Sequence, residues 1–340
     1  MDGLLRNKLP KQFQPLFKAQ RTQFQEKVLV TFREPYILRG YRLTNKPWHY
    51  YLVSLFNWHN ETINIWTHLL SFIYIVLHII NLCEKYDVMN TSEGAVVLGY
   101  SFGALSLTSF STIAHLFHSK SLRHHYEFFM LDYFGVSLYS LGCGILTIYR
   151  FCPENSFQIL QTFYLPLHLI LCYNNFLSIS TAKLYFFGVI RKCLTVSACL
   201  LSTISMLYPL LCTYYECFND TACHISSLNH LGLMYVFLFL STVAYLAHQP
   251  EMSNLGMCDI VGHSHQWFHV FVFCTILAQY NAMEKEIDLN KGVISEVQLS
   301  TIVIYFLLLL SLNSVTFLFL QPALKRKVVD IENTNHIKQK

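Results

Sequence analysis

From residue 63 onward the chain alternates long apolar runs with short polar stretches. Eight runs approach the roughly 20 residues that a helix needs to cross a bilayer. They are 63–82, 95–117, 128–149, 157–180, 193–215, 230–247, 264–282 and 299–320. Strand periodicity is absent from them, so the pattern predicts an all-α polytopic membrane protein. A polar N-terminal segment, 1–61, carries the juxtamembrane residues ahead of a seven-helix core, 62–283. An outer loop (284–298), an eighth transmembrane helix (299–320) and a cytoplasmic tail (321–340) follow. Composition agrees: 53% of residues are hydrophobic and 13% charged, unlike a soluble domain.

Charge sets the orientation. With both termini and alternate loops on one side, that side holds 20 Lys and Arg and the other holds Lys85, Arg150, Lys285 and Lys291. Basic residues collect in the cytoplasm, so both termini are expected there. Two glycosylation acceptors, at Asn90 and Asn219, then fall outside, whereas a third at Asn60 falls inside. The start of the chain shows no cleavable signal peptide and neither end shows a lipidation signal, so the first apolar run is expected to target the membrane. The basic N-terminus reads either as a retention signal or as a surface helix touching anionic membrane lipid through Phe13, Phe17, Phe24 and Val28. Nothing points to nucleic acid. Cys217 and Cys223 share an outer loop and could pair there.

Ionisable groups inside a bilayer are costly and tend to be functional. His265 and His269 open the seventh run four residues apart, on one helix face and about 6 Å apart along the axis. His115 ends the second run, with Ser111 one turn before it. Asp132 is the one carboxylate within the eight runs, near the start of the third. By itself it reads as an acid at a helix N-terminus. The alternating topology, however, brings all these groups to one depth near the cytoplasmic face. Three histidines with one open position suit a zinc ion whose fourth ligand is water, and a carboxylate could hold or deprotonate that water. His78, His168 and His230 stand alone on apolar runs and read as hydrogen-bonded packing residues. His118, His124 and His125 lie in or beside a basic inner loop.

The chain resembles the progestin and adipoQ receptor family. Glu34-Pro35-Tyr36-Ile37 with Gly40-Tyr41-Arg42 is similar to its N-terminal motif. His59-Asn60-Glu61 with Asn64, Trp66, Thr67 and His68 is similar to the motif opening its first helix. Ser111 and His115, then Asp132-Tyr133 and Gly135, then Ser264-His265-Gln266 with Phe268-His269 complete the pattern. The resemblance implies zinc on His115, His265 and His269, with Asp132 beside the bound water. It also implies a plasma-membrane receptor for a progestin steroid, coupled to G proteins, because Phe32 to Ile37, Cys258 to His263 and the eighth run look most like its progestin-receptor members. The alternative is a zinc hydrolase of a lipid amide such as ceramide, with Asp132 activating water and Ser111 orienting the carbonyl. A purely structural metal staple is the third reading.

Overall fold

The computed structural model describes residues 21–289 and 297–338. Within them each apolar run contributes most or all of its residues to one long helix: α2 (Thr62–Lys85), α3 (Ser92–Phe117), α4 (Leu122–Leu146), α6 (Tyr164–Tyr185), α7 (Gly188–Asn219), α8 (Asn229–Ala247), α9 (Ser264–Asp288) and α10 (Leu299–Lys338). Short helices α1 (Trp48–Ser54) and α5 (Glu154–Leu160) complete the set. Six of the long helices, α2, α3, α4, α7, α8 and α10, are long and apolar enough to cross a membrane by length and composition. The fold is that of a helical multi-pass membrane protein. The other two, α6 and α9, turn polar residues inward, among them Asn175, Gln266 and His269, all buried.

Helices α2 to α4, α6 and α7 pack in chain order, α9 packs on α8 and returns to α2, and α10 stands outside against α3, α4 and α6. The tightest pair is α3 with α4. A Cβ on Gly103 would lie 2.8 Å from Leu138 O, and one on Gly135 would lie 2.9 Å from Ser106 O. Small residues bring these backbones together, as in other membrane bundles where packing replaces the hydrophobic drive between helices. That contact brings the end of α3 that carries His115 alongside the part of α4 that carries Asp132.

Several boundaries depart from the apolar pattern. Helix α4 starts at Leu122, where the Ser121 side chain accepts from His124 N. Asp132 therefore sits nearly three turns into the helix, beyond reach of the N-terminal dipole, which fades within one turn. His124 and His125 stand beside the inner loop, in the first turn of α4. The fourth run is divided into α5 and α6, and Pro166 sits in the first turn of α6, where its missing N–H costs nothing. Helix α9 runs on to Asp288, beyond the core boundary expected at 283, because Lys85 Nζ (2.9 Å) and Tyr86 Oη (2.7 Å) donate to Asp288. Helix α10 continues to Lys338, so residues 321–338, expected as the tail after the eighth run, are helical.

The N-terminal arm is not a surface helix where it is described. Phe24 belongs to β1 (Gln23–Phe24), which pairs antiparallel with β2 (Arg39–Tyr41), and Val28 is buried. Phe13 and Phe17 lie outside the described residues. Val28, Phe32, Ile37 and Tyr41 form one core with Leu122, Tyr126, Met130, Leu184 and Leu324. The arm thus seals the bundle end that carries His115 and His265. Cys217 and Cys223 form a disulfide with Cα atoms 5.2 Å apart.

Candidate metal centre

The loop before α9 is pinned at both ends of its last turn. Glu251 accepts from Ser264 N (2.7 Å) and from the Ser264 hydroxyl, placing a carboxylate at the helix N-terminus. Gln266 accepts from Gly262 N (2.6 Å) and donates to Ile260 O (2.7 Å), while His263 Nε2 donates to Asn60 O (3.1 Å). Gly262 takes φ +95°, which a side chain would oppose. The helix start is therefore fixed, and with it the direction of His265 and His269. Their Nε2 atoms are 3.2 Å apart. A tetrahedral ion with bonds of about 2.0–2.1 Å needs donor atoms about 3.3–3.4 Å apart, so this pair stands at ligand spacing.

His115 comes from the last turn of α3. Arg42 of the arm holds that helix end, donating to the carbonyls of His115 and Leu116, both at 2.6 Å, and to Ser54 Oγ at 3.0 Å. A guanidinium there answers the free C-terminal carbonyls of the helix. Burial lowers its pKa to about 10, so it stays charged at neutral pH. The imidazole of His115 bonds through Nδ1 to Glu61 Oε2 at 2.8 Å, and its buried Nε2 has no hydrogen-bond partner among the described residues. His269 is oriented in the same way. Thr67 Oγ1 donates to Ile63 O and Asn64 O, which leaves it to accept from His269 Nδ1 at 3.3 Å. Both rings then present an unprotonated Nε2, the state a metal ligand requires.

Ligand atoms of His115, His265 and His269 all lie within 4.8 Å of one another, in a set that could hold a metal ion. Ser111 is buried one turn before His115 on α3, and Asp132 lies near enough for its charge to act on His115. Of the four groups singled out by depth, the three histidines share one place. Asn90 is elsewhere, just before α3, whose 26 residues span about 39 Å. Asn219 ends α7, and both asparagines are exposed. His168 and His230 are hydrogen-bonded packing residues, to Ser140 O (2.9 Å) and Glu286 (2.7 Å), whereas His78 stands at ion-pair distance from Glu284 (3.0 Å), its Nε2 without a hydrogen bond among the described residues.

Glu61 is the functional residue that depth reasoning missed. It is buried, takes 2.7 Å from Asn64 Nδ2 besides its bond to His115, and lies 3.4 Å from His118 Nε2. His68 was missed as well: its ring centroid is 4.1 Å from that of His269, and its buried Nδ1 has no partner among the described residues. A signal existed. Glu61, Asn64, His68 and Ser71 recur at helical spacing and mark a polar stripe on an otherwise apolar α2.

The haemolysin-III-related family matches residues 56–280, a region holding every one of these histidines, Glu61 and Asp132. The chain belongs to this family. The membrane progestin receptor beta of Sus scrofa is 32% identical over 261 residues, covering 74% of this chain and 72% of that protein. The membrane progestin receptor alpha of Mus musculus is 29% identical over 331 residues, 94% of this chain and 92% of that protein. The membrane progestin receptor beta of Homo sapiens is 31% identical over 256 residues, 74% of this chain and 72% of that protein. The family match ends inside α9, so α10 lies beyond it, although the match to the mouse relative, at 94% of this chain, reaches into it.

Proposed function

We propose that this haemolysin-III-related protein is a plasma-membrane progestin receptor with zinc held by His115, His265 and His269. The observation that carries the metal reading is the triad of two buried histidines and the partly buried His265, with Glu61 behind His115. Three imidazoles whose ligand atoms lie within 4.8 Å of one another, one pair of them at tetrahedral spacing, favour zinc. The names of the relatives, over about three quarters or more of the chain, support the steroid. A progestin is apolar and reaches the bundle from the bilayer, and it switches the receptor only if two packings bind it with different affinity. G proteins are the cytoplasmic output in this reading. All eight long helices span, and the 20-to-4 charge split puts both termini inside, with Asn90 and Asn219 glycosylated outside. A C-terminal tag reached by antibody in intact cells would invert that topology.

Asp132 and Ser111 favour a second reading, a zinc-dependent lipid amidase of the ceramidase type. When bound, zinc supplies Lewis acidity to a carbonyl or to water. Asp132 is the proton acceptor, Ser111, one turn before His115, orients the carbonyl, and Glu61 and Thr67 hold two of the rings. One preparation tests both readings. The purified protein and His265→Ala are assayed for metal content, displaceable progesterone binding and short-chain ceramide hydrolysis. The expected result is about one zinc per chain, lost in the variant, with saturable progesterone binding in the wild type. Full zinc in His265→Ala sinks the metal site. A folded sample without displaceable steroid binding sinks the receptor and promotes the amidase.

A further inference from the structure

Beside the arm, at the same bundle end as the histidines, a groove of about 590 Å³ opens between three segments. Residues 29–31 of the arm form one wall, the end of α6 with Phe187 the second, and α10 from residue 323 to 335 the third. Its chemistry is divided. Arg326 and Lys327 line it, and Lys327 Nζ stands 4.3 Å from the centre of the Phe187 ring. The rim is apolar and open: Val30 is 76% exposed, Phe187 64% and Tyr185 59%, and Val189 and Ile190, just after Phe187 in the chain, are exposed as well. Asp330 also faces the groove, so the lining is not a plain cationic patch.

Two cations beside large exposed apolar side chains match a molecule with an anionic head and hydrocarbon tails. The location matches too. Helix α10 leaves its apolar stretch at Gln321 and turns basic at Lys325-Arg326-Lys327, which is the headgroup level of a spanning helix. We propose that this groove binds an anionic phospholipid of the inner leaflet, its phosphate between Arg326 and Lys327 and its chains along Phe187, Val189 and Ile190. Basic pockets at the cytoplasmic ends of membrane helices suit such heads. Asp330 offers an acceptor to a hydroxyl or ammonium on the head and disfavours a bare phosphate. The arm gains a role from this. Residues 29–31 touch the groove, and their neighbours Val28 and Phe32 are buried in the core beside α4, so a bound lipid braces the segment that covers the histidine centre. The proposal rests on the cytoplasmic assignment of this end but not on zinc or steroid.

The test uses the full chain in detergent, mixed with equal amounts of phosphatidylinositol, phosphatidylserine and phosphatidylcholine and read by native mass spectrometry. Retention of the two anionic lipids over phosphatidylcholine is expected. Arg326→Gln with Lys327→Gln should weaken it roughly thirtyfold. Lys120→Gln with Arg123→Gln, basic residues away from the groove, should leave it unchanged. Phe187→Ser should weaken lipid retention without removing a charge, and covers the case in which the double variant misfolds. Equal retention of phosphatidylcholine, or unchanged retention in the folded double variant or in Phe187→Ser, overturns the proposal. Competition by free inositol phosphate as strong as by the lipid overturns it in favour of a soluble phosphate. Equal losses in the Lys120 and Arg123 control overturn it in favour of diffuse charge attraction.

Discussion

Changing Glu61 to Gln removes a charge from behind His115 while keeping the side chain's shape. The carboxylate has three neighbours: His115 Nδ1 at 2.8 Å and Asn64 Nδ2 at 2.7 Å on Oε2, and His118 Nε2 at 3.4 Å on Oε1. Gln can leave its amide oxygen at the Oε2 position, so the bond to His115 survives in neutral form. Its amide nitrogen then faces His118, which can accept by changing tautomer. The loss is the ionic part of the bond, about 1–2 kcal/mol between charged and neutral hydrogen bonds. Partners of this kind behind a metal-binding histidine are worth about 10–100-fold in metal affinity, or roughly 1.4–2.8 kcal/mol, and the two figures overlap. The assay is chelator competition for zinc on detergent-purified protein, with size exclusion as the check on folding. A folded Glu61→Gln protein should bind zinc about 10–100-fold more weakly. Glu61→Ala should lose more and also unfold at lower temperature, because it strands buried donors. Wild-type affinity in a folded Glu61→Gln protein would refute the idea that this carboxylate orients the ring.

Three further outcomes are expected. His59, ahead of the first spanning helix, accepts from Glu61 N through Nδ1 and donates to Ser54 O through Nε2, both at 3.1 Å. Burial, and then the nearby Arg42 charge, hold its pKa well below the ordinary value. The unfolded chain takes up a proton below about pH 6.5 that the native ring refuses, so stability present above that pH declines as pH falls below it. Thermal unfolding from pH 7 to 5 should show this slope, shallower in His59→Gln, and equal slopes would count against it. Gly144→Ala should cost about 1–3 kcal/mol in unfolding assays, because its Cβ would lie 2.1 Å from the buried His168 ring, itself bonded to Ser140 and Ser205; an unchanged Tm would show that the ring can move. Asp132→Asn should reach the membrane and keep its zinc, while any amide hydrolysis drops by about 100-fold or more. Loss of both zinc and expression would make Asp132 an anchor instead.

The existence of the long helices was legible because each spans about 20 apolar residues, a signal that needs no tertiary information. Their ends were not, because contacts between distant residues decide them. Lys85 and Tyr86 extend α9 by holding Asp288, Leu324 extends α10 by entering the arm's core, and the Ser121 cap starts α4 early. The histidine set was legible by a different route: alternating topology assigns a depth to each polar residue, and His115, Asp132 and His265 share one. The same route was blind to Glu61, since it counted carboxylates only inside apolar runs, and Glu61 stands one residue before α2.

That omission has a physical lesson for the arm. A buried charge is stable only with a partner, and the buried charges at this end are paired across segments far apart in sequence. Arg42 of the arm holds the end of α3, Glu61 holds the ring that α3 carries, and Asp259 from the loop before α9 accepts from Leu38 N at 2.9 Å and pairs with Arg39 at 3.3 Å. Gly40 lies between these contacts, so close to α2 that a Cβ would come 3.0 Å from Asn60 N, and its φ of +92° disfavours any side chain. The charges explain why a polar segment outside the membrane packs so tightly on it: each tie either fixes a helix end that presents an imidazole or fixes the loop that leads into one. The arm is therefore part of the histidine centre's construction, and displacing it would release α3, α2 and α9 together.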